Sequence, residues 1–127
     1  MSIKYKNIEK GQPGVVGGGE KKHYASVVYA GEVTVDDLVQ EIEKFSALSE
    51  SDIKGVIIAL ENVVQTKLSQ SNIIRLEKLG SLYPAISSRG EEEAKKVTPN
   101  SIKRVSVNYR PGARILKAMK DAGFSKQ

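Results

Sequence analysis

The segment IKRVSVNYRPGARILKAMK, residues 102–120, runs from a strand pattern into a helix pattern and contains six Lys or Arg residues. Val105, Val107 and Tyr109 alternate with polar or basic residues, which predicts a strand with one packing face and one basic face. Pro111 predicts a helix start, because proline already has the φ angle that the first helical residue needs. A basic strand anchored by a helix is typical of a surface that binds a polyanion, so nucleic acid is the first partner to consider.

The charge of the chain is unevenly distributed. The 127 residues carry a net charge of +5, with +3 in residues 1–31, −5 in residues 32–72 and +7 in residues 73–127. The length fits one domain, or a domain with an appendage. The chain has no cysteine, which excludes a disulfide framework, a thiolate metal site and a cysteine nucleophile. The basic last part is a candidate phosphate-binding surface.

The sequence has no features of an enzyme or a membrane protein. His23 is the only histidine and lies beside two lysines, without a second ligand or a nucleophile near it in the sequence. Catalysis needs a constellation of groups, and none is found, so we predict no enzymatic activity, no cofactor, no metal and no small-molecule substrate. No apolar run approaches membrane-spanning length, and MSIKYKN lacks the apolar core of a signal peptide. The expected location is the cytoplasm.

The N-terminal part is predicted to form β-structure. Residues 3–9 and 22–30 have strand patterns, and the Pro- and Gly-rich segment GQPGVVGGGEKK connects them. A hairpin, or two sheet edges joined by a flexible connection, is the simplest interpretation. Three consecutive glycines in the connection are not followed by the Lys-Ser/Thr pair of a nucleotide-binding loop, which disfavours nucleotide binding.

Two neighbouring helices follow. Thr34 is a good N-cap for a helix over residues 34–48, and Ser49 with Asp52 resembles a capping box at the start of the next helix. Apolar residues form a wide stripe along that second helix: Ile53, Val56, Ile57, Leu60, Val63, Val64 and Leu68. Two helices and a short sheet would hardly cover this stripe, which suggests a dimer core.

The last part alternates between strand and helix patterns. Residues 73–76 and 81–87 are strand-like and lie on either side of Gly80, and residues 89–100 form a polar segment that contains the run EEEAKK. A strand over residues 102–110 and a helix over residues 111–122 complete the chain. The predicted order is strand, strand, helix, helix, strand, loop, strand and helix.

From residue 34 to residue 124 this order resembles the HU/IHF family of bacterial histone-like DNA-binding proteins. The segment TVDDLVQEIEKFSALSESDIKGVIIALENVVQTKL is similar to the family's two N-terminal helices. The segment IIRLEKLGSLYPAIS is similar to the part that follows them, with Lys78-Leu79-Gly80-Ser81-Leu82 in place of the family's Gly-Phe-Gly-Thr-Phe signature. The segment VSVNYRPGARILKAM resembles the family's return strand and final helix. Residues 1–31 resemble the extension of an HU-related subfamily with a longer N-terminus.

The resemblance implies an α+β fold of the IHF-like intertwined dimer type. It implies two N-terminal helices, a β-saddle with an arm, a C-terminal helix and, here, an N-terminal β extension. The domains are expected at residues 1–31, the extension, and at residues 32–127, the HU-like DNA-binding domain. The implied function is sequence-tolerant binding of duplex DNA by a homodimer that bends or compacts DNA in the nucleoid.

Basic and amide side chains near the return strand are the predicted DNA-binding residues. They are Arg75, Lys78, Arg89, Lys103, Arg104, Asn108, Arg110 and Arg114. Lys and Arg release counterions from phosphates, and guanidinium groups also enter narrow minor grooves. Lys4, Lys6, Lys21 and Lys22 either extend this basic surface or serve to protect strand edges from aggregation.

The predicted arm departs from the family pattern. Family arms end in an Arg-Asn-Pro tip whose proline wedges between base pairs, whereas here the segment is SSRGEEEAKKVTPNSIKR. Its three consecutive glutamates would be repelled by phosphates, so the arm either points away from DNA or is truncated, and Pro99 is not assigned an intercalating role. The alternative function is a dimeric protein-interaction scaffold that has the HU-like fold and has lost DNA binding.

Overall fold

The structure, a computed structural model, describes residues 1–12 and 14–127, so Pro13 of the predicted connection lies outside the described residues. This part of the chain forms three α-helices and six β-strands, which confirms the mixed α+β class. The elements are β1 (Ile3–Lys10), β2 (Lys22–Val27), α1 (Val35–Lys44), α2 (Glu50–Ser69), β3 (Ile74–Arg75), β4 (Gly80–Ser88), β5 (Ile102–Pro111), α3 (Ala113–Ala122) and β6 (Phe124–Lys126).

Two details at the C-terminal end differ from the sequence prediction. Pro111 is the last residue of β5 and not the first residue of a helix, because α3 begins only at Ala113. A helix does end where Gly123 was expected to end it, with φ of +72° at this glycine. The strand β6 after it was not predicted, because three residues are too few to show an alternation pattern.

The described chain divides into two compact units. One contains Met1–Thr34 and Lys117–Gln127, and the other is Val35–Leu116. In the first unit, β1 pairs antiparallel with β2 and parallel with β6, giving the strand order β2-β1-β6. The predicted N-terminal hairpin is therefore confirmed, and the chain's C-terminal residues complete its sheet.

In the second unit, α1 and α2 pack against each other. The capping box predicted for α2 is present: the Asp52 N–H donates to Ser49 Oγ at 3.2 Å, and the Ser49 N–H donates to Asp52 Oδ2 at 3.4 Å. Val39 of α1 and Ile53 of α2 are the buried hydrophobic residues of the described chain. No helix in this part of the protein is both long and apolar enough to cross a membrane.

The second unit also contains an antiparallel sheet with the order β3-β4-β5. The pairing of β4 with β5 is continuous from Gly80 opposite Pro111 to Ser87 opposite Arg104. There the register shifts by one residue, so that Lys103 lies in a β-bulge. The pairing in this sheet sets the side to which each side chain of the basic strand β5 points.

The apolar stripe of α2 stays largely uncovered within one chain. Val56 is 61% exposed, Leu60 48% and Val63 55%. The solvent-accessible surface of the described residues is 10738 Å² at a chain mass of 13.9 kDa. One compact body of this mass exposes about 6,700 Å², and the same mass divided between two compact bodies exposes about 8,000 Å². The chain thus presents far more surface than its mass accounts for.

Candidate nucleic-acid interface

The sheet β3–β5 has one basic face and one apolar face. Residues that pair directly across two strands point to the same side of a sheet, and successive residues point to opposite sides. The register of β4 and β5 therefore places Ser81, Tyr83, Ala85, Ser87, Arg104, Ser106, Asn108 and Arg110 together on one side, with Arg75 of β3 opposite Ser81. We call the cations Arg75, Arg104 and Arg110, together with Asn108, the arginine face.

The opposite side of the same sheet is apolar. It carries Ile74, Leu82, Pro84, Ile86, Val105, Val107 and Tyr109. Several of these side chains are exposed in the single chain, including Val105 at 76% and Ile86 at 63%. Burial of this side would leave the arginine face directed to solvent.

Tyr83 organises two of the three arginines. The Cζ atom of Arg75 lies 5.4 Å from the centre of the Tyr83 ring, and the Cζ atom of Arg110 lies 4.9 Å from it. Arg75 Nη1 also donates to the Tyr83 hydroxyl at 2.8 Å and to Ser81 Oγ at 3.1 Å. A cation near an aromatic ring is attracted by the negative charge of the ring face. The two guanidinium groups are thus positioned by an uncharged side chain and keep their full positive charge.

No carboxylate neutralises the arginine face. Within residues 1–12 and 14–127, none of the ion pairs includes Arg75, Arg104 or Arg110. Positive charge without a partner in the same protein attracts anions and raises their local concentration. The register and the absence of ion pairs therefore combine to form a basic surface.

Two glycines bring a second basic group close to this face. A Cβ atom on Gly80 would collide with the carbonyl oxygen of Arg110, and one on Gly112 would collide with the carbonyl oxygen of Lys78. Only glycine permits backbone segments to approach so closely, and Gly80 also has φ of +119°. The close approach positions the turn before β4 against the turn before α3.

The result of this approach is an open groove of about 700 Å³. Its lining residues are Arg75, Glu77, Lys78, Ser81, Ala113 and Arg114. Three cations and one carboxylate line the groove, so the net charge of its lining is positive. The groove connects Lys78 and Arg114 with Arg75, and hence with the arginine face.

The loop between β4 and β5 holds Arg89 apart from this arrangement. Arg89 Nε donates to Glu91 Oε1 at 2.8 Å, and Ser101 Oγ donates to the same oxygen at 3.0 Å. The Arg89 N–H donates to the carbonyl oxygen of Ser101 at 2.9 Å, and Ser101 is completely buried. These bonds, which we call the Glu91 clasp, close the loop over residues 89–101.

The Glu91 clasp changes the electrostatics of the loop. The Arg89 guanidinium, and then the Ser101 hydroxyl, stabilise the charged carboxylate and lower the pKa of Glu91 below its usual value. Glu93 lies 3.6 Å from Lys95, so a second acid of the run is also paired. Pro99 begins a short 3₁₀ turn, Pro99–Ser101, and so belongs to the closed loop.

Of the eight predicted DNA-binding residues, the structure groups six and separates two. Arg75, Arg104, Asn108 and Arg110 share one side of the sheet, and Lys78 and Arg114 line the adjoining groove. Arg89 lies in the Glu91 clasp, and Lys103 lies in the bulge. The sequence reasoning did not single out Tyr83, whose role depends on strand pairing. The alternation of residues 81–87 was the available signal, because it placed Tyr83 on the same side as Ser81.

The fold is similar to that of a candidate bacterial DNA-binding protein from Bacteroides vulgatus ATCC 8482, whose crystal structure is known. The TM-score is 0.70 at 11% sequence identity, and the alignment covers 98% of this chain and 48% of that one. The chain thus spans about half the length of that protein, and the likeness concerns the fold alone.

The family itself is defined by sequence. The model of the HU-HIG family, described as an HU domain fused to a wHTH, Ig or glycine-rich motif, matches residues 1–126. The chain therefore belongs to the HU-HIG family, which confirms the predicted relation to HU, including the N-terminal residues. No match is found among curated proteins.

Proposed function

We propose that the chain forms a homodimer that binds duplex DNA with little sequence preference and bends or compacts it in the nucleoid of the cytoplasm. The one-sided basic sheet carries this proposal, since the register of β4 and β5 gathers Arg104, Asn108 and Arg110 on one side. Residues 32–127 are proposed as the HU-like DNA-binding domain and residues 1–31 as its extension. The HU type of family is normally non-enzymatic, in keeping with a binding function.

The arginine face supports binding through phosphates and groove shape. Each phosphate neutralised by Lys or Arg releases counterions, so affinity falls steeply with salt concentration. Arginine is also suited to narrow minor grooves, where the negative potential is enhanced. The face is formed by a sheet and not by a helix that inserts into the major groove, so recognition is expected to depend on DNA shape and deformability.

The proposed partner in the dimer is a second copy of the same chain. The exposed stripe of α2 and the apolar side of the β3–β5 sheet would be shielded from water in such a dimer. The chain exposes about 2,700 Å² more surface than two compact bodies of the same total mass would expose. Obligate homodimers bury areas of this class, about 2,000–5,000 Å² or more in total, through apolar interfaces. An intertwined dimer would cover the apolar side of the sheet and leave the arginine face free.

The proposed binding mode does not use a proline wedge. Pro99 is part of the loop closed by the Glu91 clasp, and Glu92 and Glu93 lie in the same loop. Carboxylates near phosphates oppose binding, so the loop tip is proposed to stay away from the DNA backbone. Bending would then depend on the arginine face alone.

The alternative function, a dimeric protein-interaction scaffold, is favoured by one observation. The Glu91 clasp neutralises Arg89, one of the predicted DNA ligands, within the protein itself. A scaffold that has lost DNA binding has no need for free cations at this position. The unpaired arginines of the arginine face argue against the scaffold, because a protein that had lost DNA binding would be expected to neutralise these arginines too.

A duplex titration at several salt concentrations separates these functions. Arg104→Ala together with Arg110→Ala is expected to weaken binding and to lower the slope of log K against log salt by about 1.8 for each protomer in contact with DNA. Lys54→Gln together with Lys67→Gln on α2 is the control, because it removes the same charge away from the sheet. Unchanged affinity of the arginine variant at low salt would contradict the proposed interface, and no binding by the wild type would favour the scaffold.

A further inference from the structure

The N-terminal sheet also separates its side chains by face. The register of β1 with β2 and β6 places Lys4, Lys6, Ile8, Lys10, Lys22, Tyr24, Ser26 and Ser125 on one side. The other side carries Ile3, Tyr5, Asn7, Glu9, His23, Ala25, Val27, Phe124 and Lys126. We call Lys4, Lys6, Lys10 and Lys22 the lysine face.

The lysine face contains no acid. Glu9 is the one carboxylate in these three strands, and the register directs it to the opposite side of the sheet. All four lysines are exposed, and none of them belongs to an ion pair within the described part of the chain. Four uncompensated charges therefore share one surface of a small sheet.

Protection of strand edges does not explain this arrangement. Lysines that prevent edge-to-edge aggregation belong on the outer strands of a sheet. Lys4, however, lies on the middle strand at a point that is bonded on both sides. Its carbonyl oxygen accepts from the Val28 N–H at 2.8 Å, and the residue pairs with Ser125 of β6. Edge protection would also permit lysines equally on either face, whereas four of the five lysines of these strands occupy one face and only Lys126 lies on the other.

We propose that the lysine face is a second DNA-binding surface, which contacts the phosphate backbone of duplex DNA. This inference rests on the proposed function, because duplex DNA is also the ligand proposed for the arginine face. Alternate residues of a strand are about 6.7 Å apart, so Lys4 to Lys10 extends over about 20 Å, the rise along the duplex axis of about six phosphates of one DNA strand.

The aromatic group on this face favours duplex DNA over single strands. Single-strand binding uses exposed aromatic rings on which bases stack. Tyr24 is only half-exposed, and Lys10 Nζ lies 5.0 Å from the centre of its ring. The ring is thus occupied by a cation, and the surface offers point charges to phosphates and no platform to bases.

The test is a variant that combines Lys4→Gln, Lys6→Gln, Lys10→Gln and Lys22→Gln in the full chain. Its matched control combines Lys44→Gln, Lys54→Gln, Lys67→Gln and Lys95→Gln, which removes the same charge from α1, α2 and the β4–β5 loop. Binding to a fluorescent duplex is measured by anisotropy from low to high salt. The lysine-face variant is expected to lower the salt slope by about 3.6 per contacting protomer if all four lysines bind phosphates. The control variant is expected to keep the wild-type slope.

The outcomes distinguish the two proposals. A wild-type slope in the lysine-face variant, while Arg104→Ala with Arg110→Ala lowers it, would overturn the lysine face and leave the proposed function in place. Absence of duplex binding by the wild type would overturn both. Loss of RNA binding with unchanged duplex binding, or a changed mass by light scattering, would show that the lysine face serves RNA or protein contact instead. Circular dichroism verifies that each variant is folded.

Discussion

Each of the two sheets of this chain has one basic face, but the two basic faces use different cations. The sheet β3–β5 carries arginines, two of which are positioned by Tyr83. The sheet β2-β1-β6 carries lysines, and only Lys10 lies against an aromatic ring. Arginine has a planar fork of donors with defined geometry, whereas lysine is a flexible point charge.

This difference predicts different kinds of DNA contact. The arginine face is expected to depend on the exact positions of its side chains and on groove shape, since two of its three guanidinium groups are held by Tyr83. The lysine face is expected to depend only on the number of charges and on salt. Variants that change geometry without changing charge should therefore affect the first face and spare the second.

The largest effect is expected from breaking the dimer that would support the arginine face. Val63→Asp places a charge in the apolar stripe of α2, and a charge buried without a partner is strongly destabilising. We expect loss of the dimer by light scattering, together with loss of cooperative thermal unfolding. Gln65→Asp adds the same charge at an exposed polar position of the same helix and should leave both properties unchanged. A variant at Val63 that stays dimeric would show that this stripe is not the interface.

A smaller effect is expected from adding a side chain where the turn before β4 contacts the turn before α3. Gly112→Ala brings a Cβ atom into the carbonyl oxygen of Lys78, and overpacking of this kind costs about 1–3 kcal/mol. Both the unfolding temperature and duplex affinity should fall. Gly90→Ala is the control, because a Cβ atom there has no neighbour within 4 Å. Equal stability of the two variants would contradict the role given to Gly112.

The role of Tyr83 can be tested without changing any charge. Tyr83→Leu removes the ring beside Arg75 and Arg110, and each exposed cation–ring contact contributes about 0.5–1 kcal/mol. We expect duplex affinity to fall about five- to thirtyfold, since both guanidinium groups would have to be ordered on binding. Tyr83→Phe keeps the ring and should lose less. Equal affinity of the Leu variant and the wild type would show that the ring does not prepare the arginine face.

The smallest effect is expected at the Glu91 clasp. Because the pKa of Glu91 is lowered in the folded chain, its stabilising contribution is complete above the usual glutamate pKa of about 4.3. The contribution is lost as the pH falls from there through the lower pKa of folded Glu91. An NMR titration should show Glu91 protonating at a pH below the usual glutamate pKa. Glu91→Gln frees Arg89 and should raise duplex affinity about twofold. Protonation of Glu91 at the usual pH would contradict the clasp.

Local patterns made much of the fold predictable from the sequence. The capping box at Ser49 and Asp52 and the apolar stripe of α2 depend on residues a few positions apart, and the helix formed where they predicted it. The return strand was predictable because its alternation is long. In contrast, β6 is too short to show a period, and its pairing with β1 joins the two ends of the chain.

The candidate site was predictable in composition and less so in arrangement. The basic residues of β5 were identified from their alternation, but their grouping with Arg75 and Tyr83 depends on the register across strands. The pairing of Arg89 with Glu91 could not be derived from their spacing, because it needs Ser101 from the other end of the loop. The alternation of β1 alone separates Lys4, Lys6 and Lys10 from Glu9, whereas the place of Lys22 on the same face depends on the pairing of β1 with β2.

Protection of a single thiol on the arginine face tests the proposed interface most directly. The chain has no cysteine, so Ser106→Cys introduces one thiol between Arg104 and Asn108, and Ser46→Cys introduces one after α1 as a control. The rate of maleimide labelling is measured with and without saturating duplex DNA. The proposed interface predicts that duplex slows labelling of the Ser106 variant and leaves the Ser46 variant unchanged. Equal labelling of the Ser106 variant with and without bound duplex would contradict DNA binding by this face.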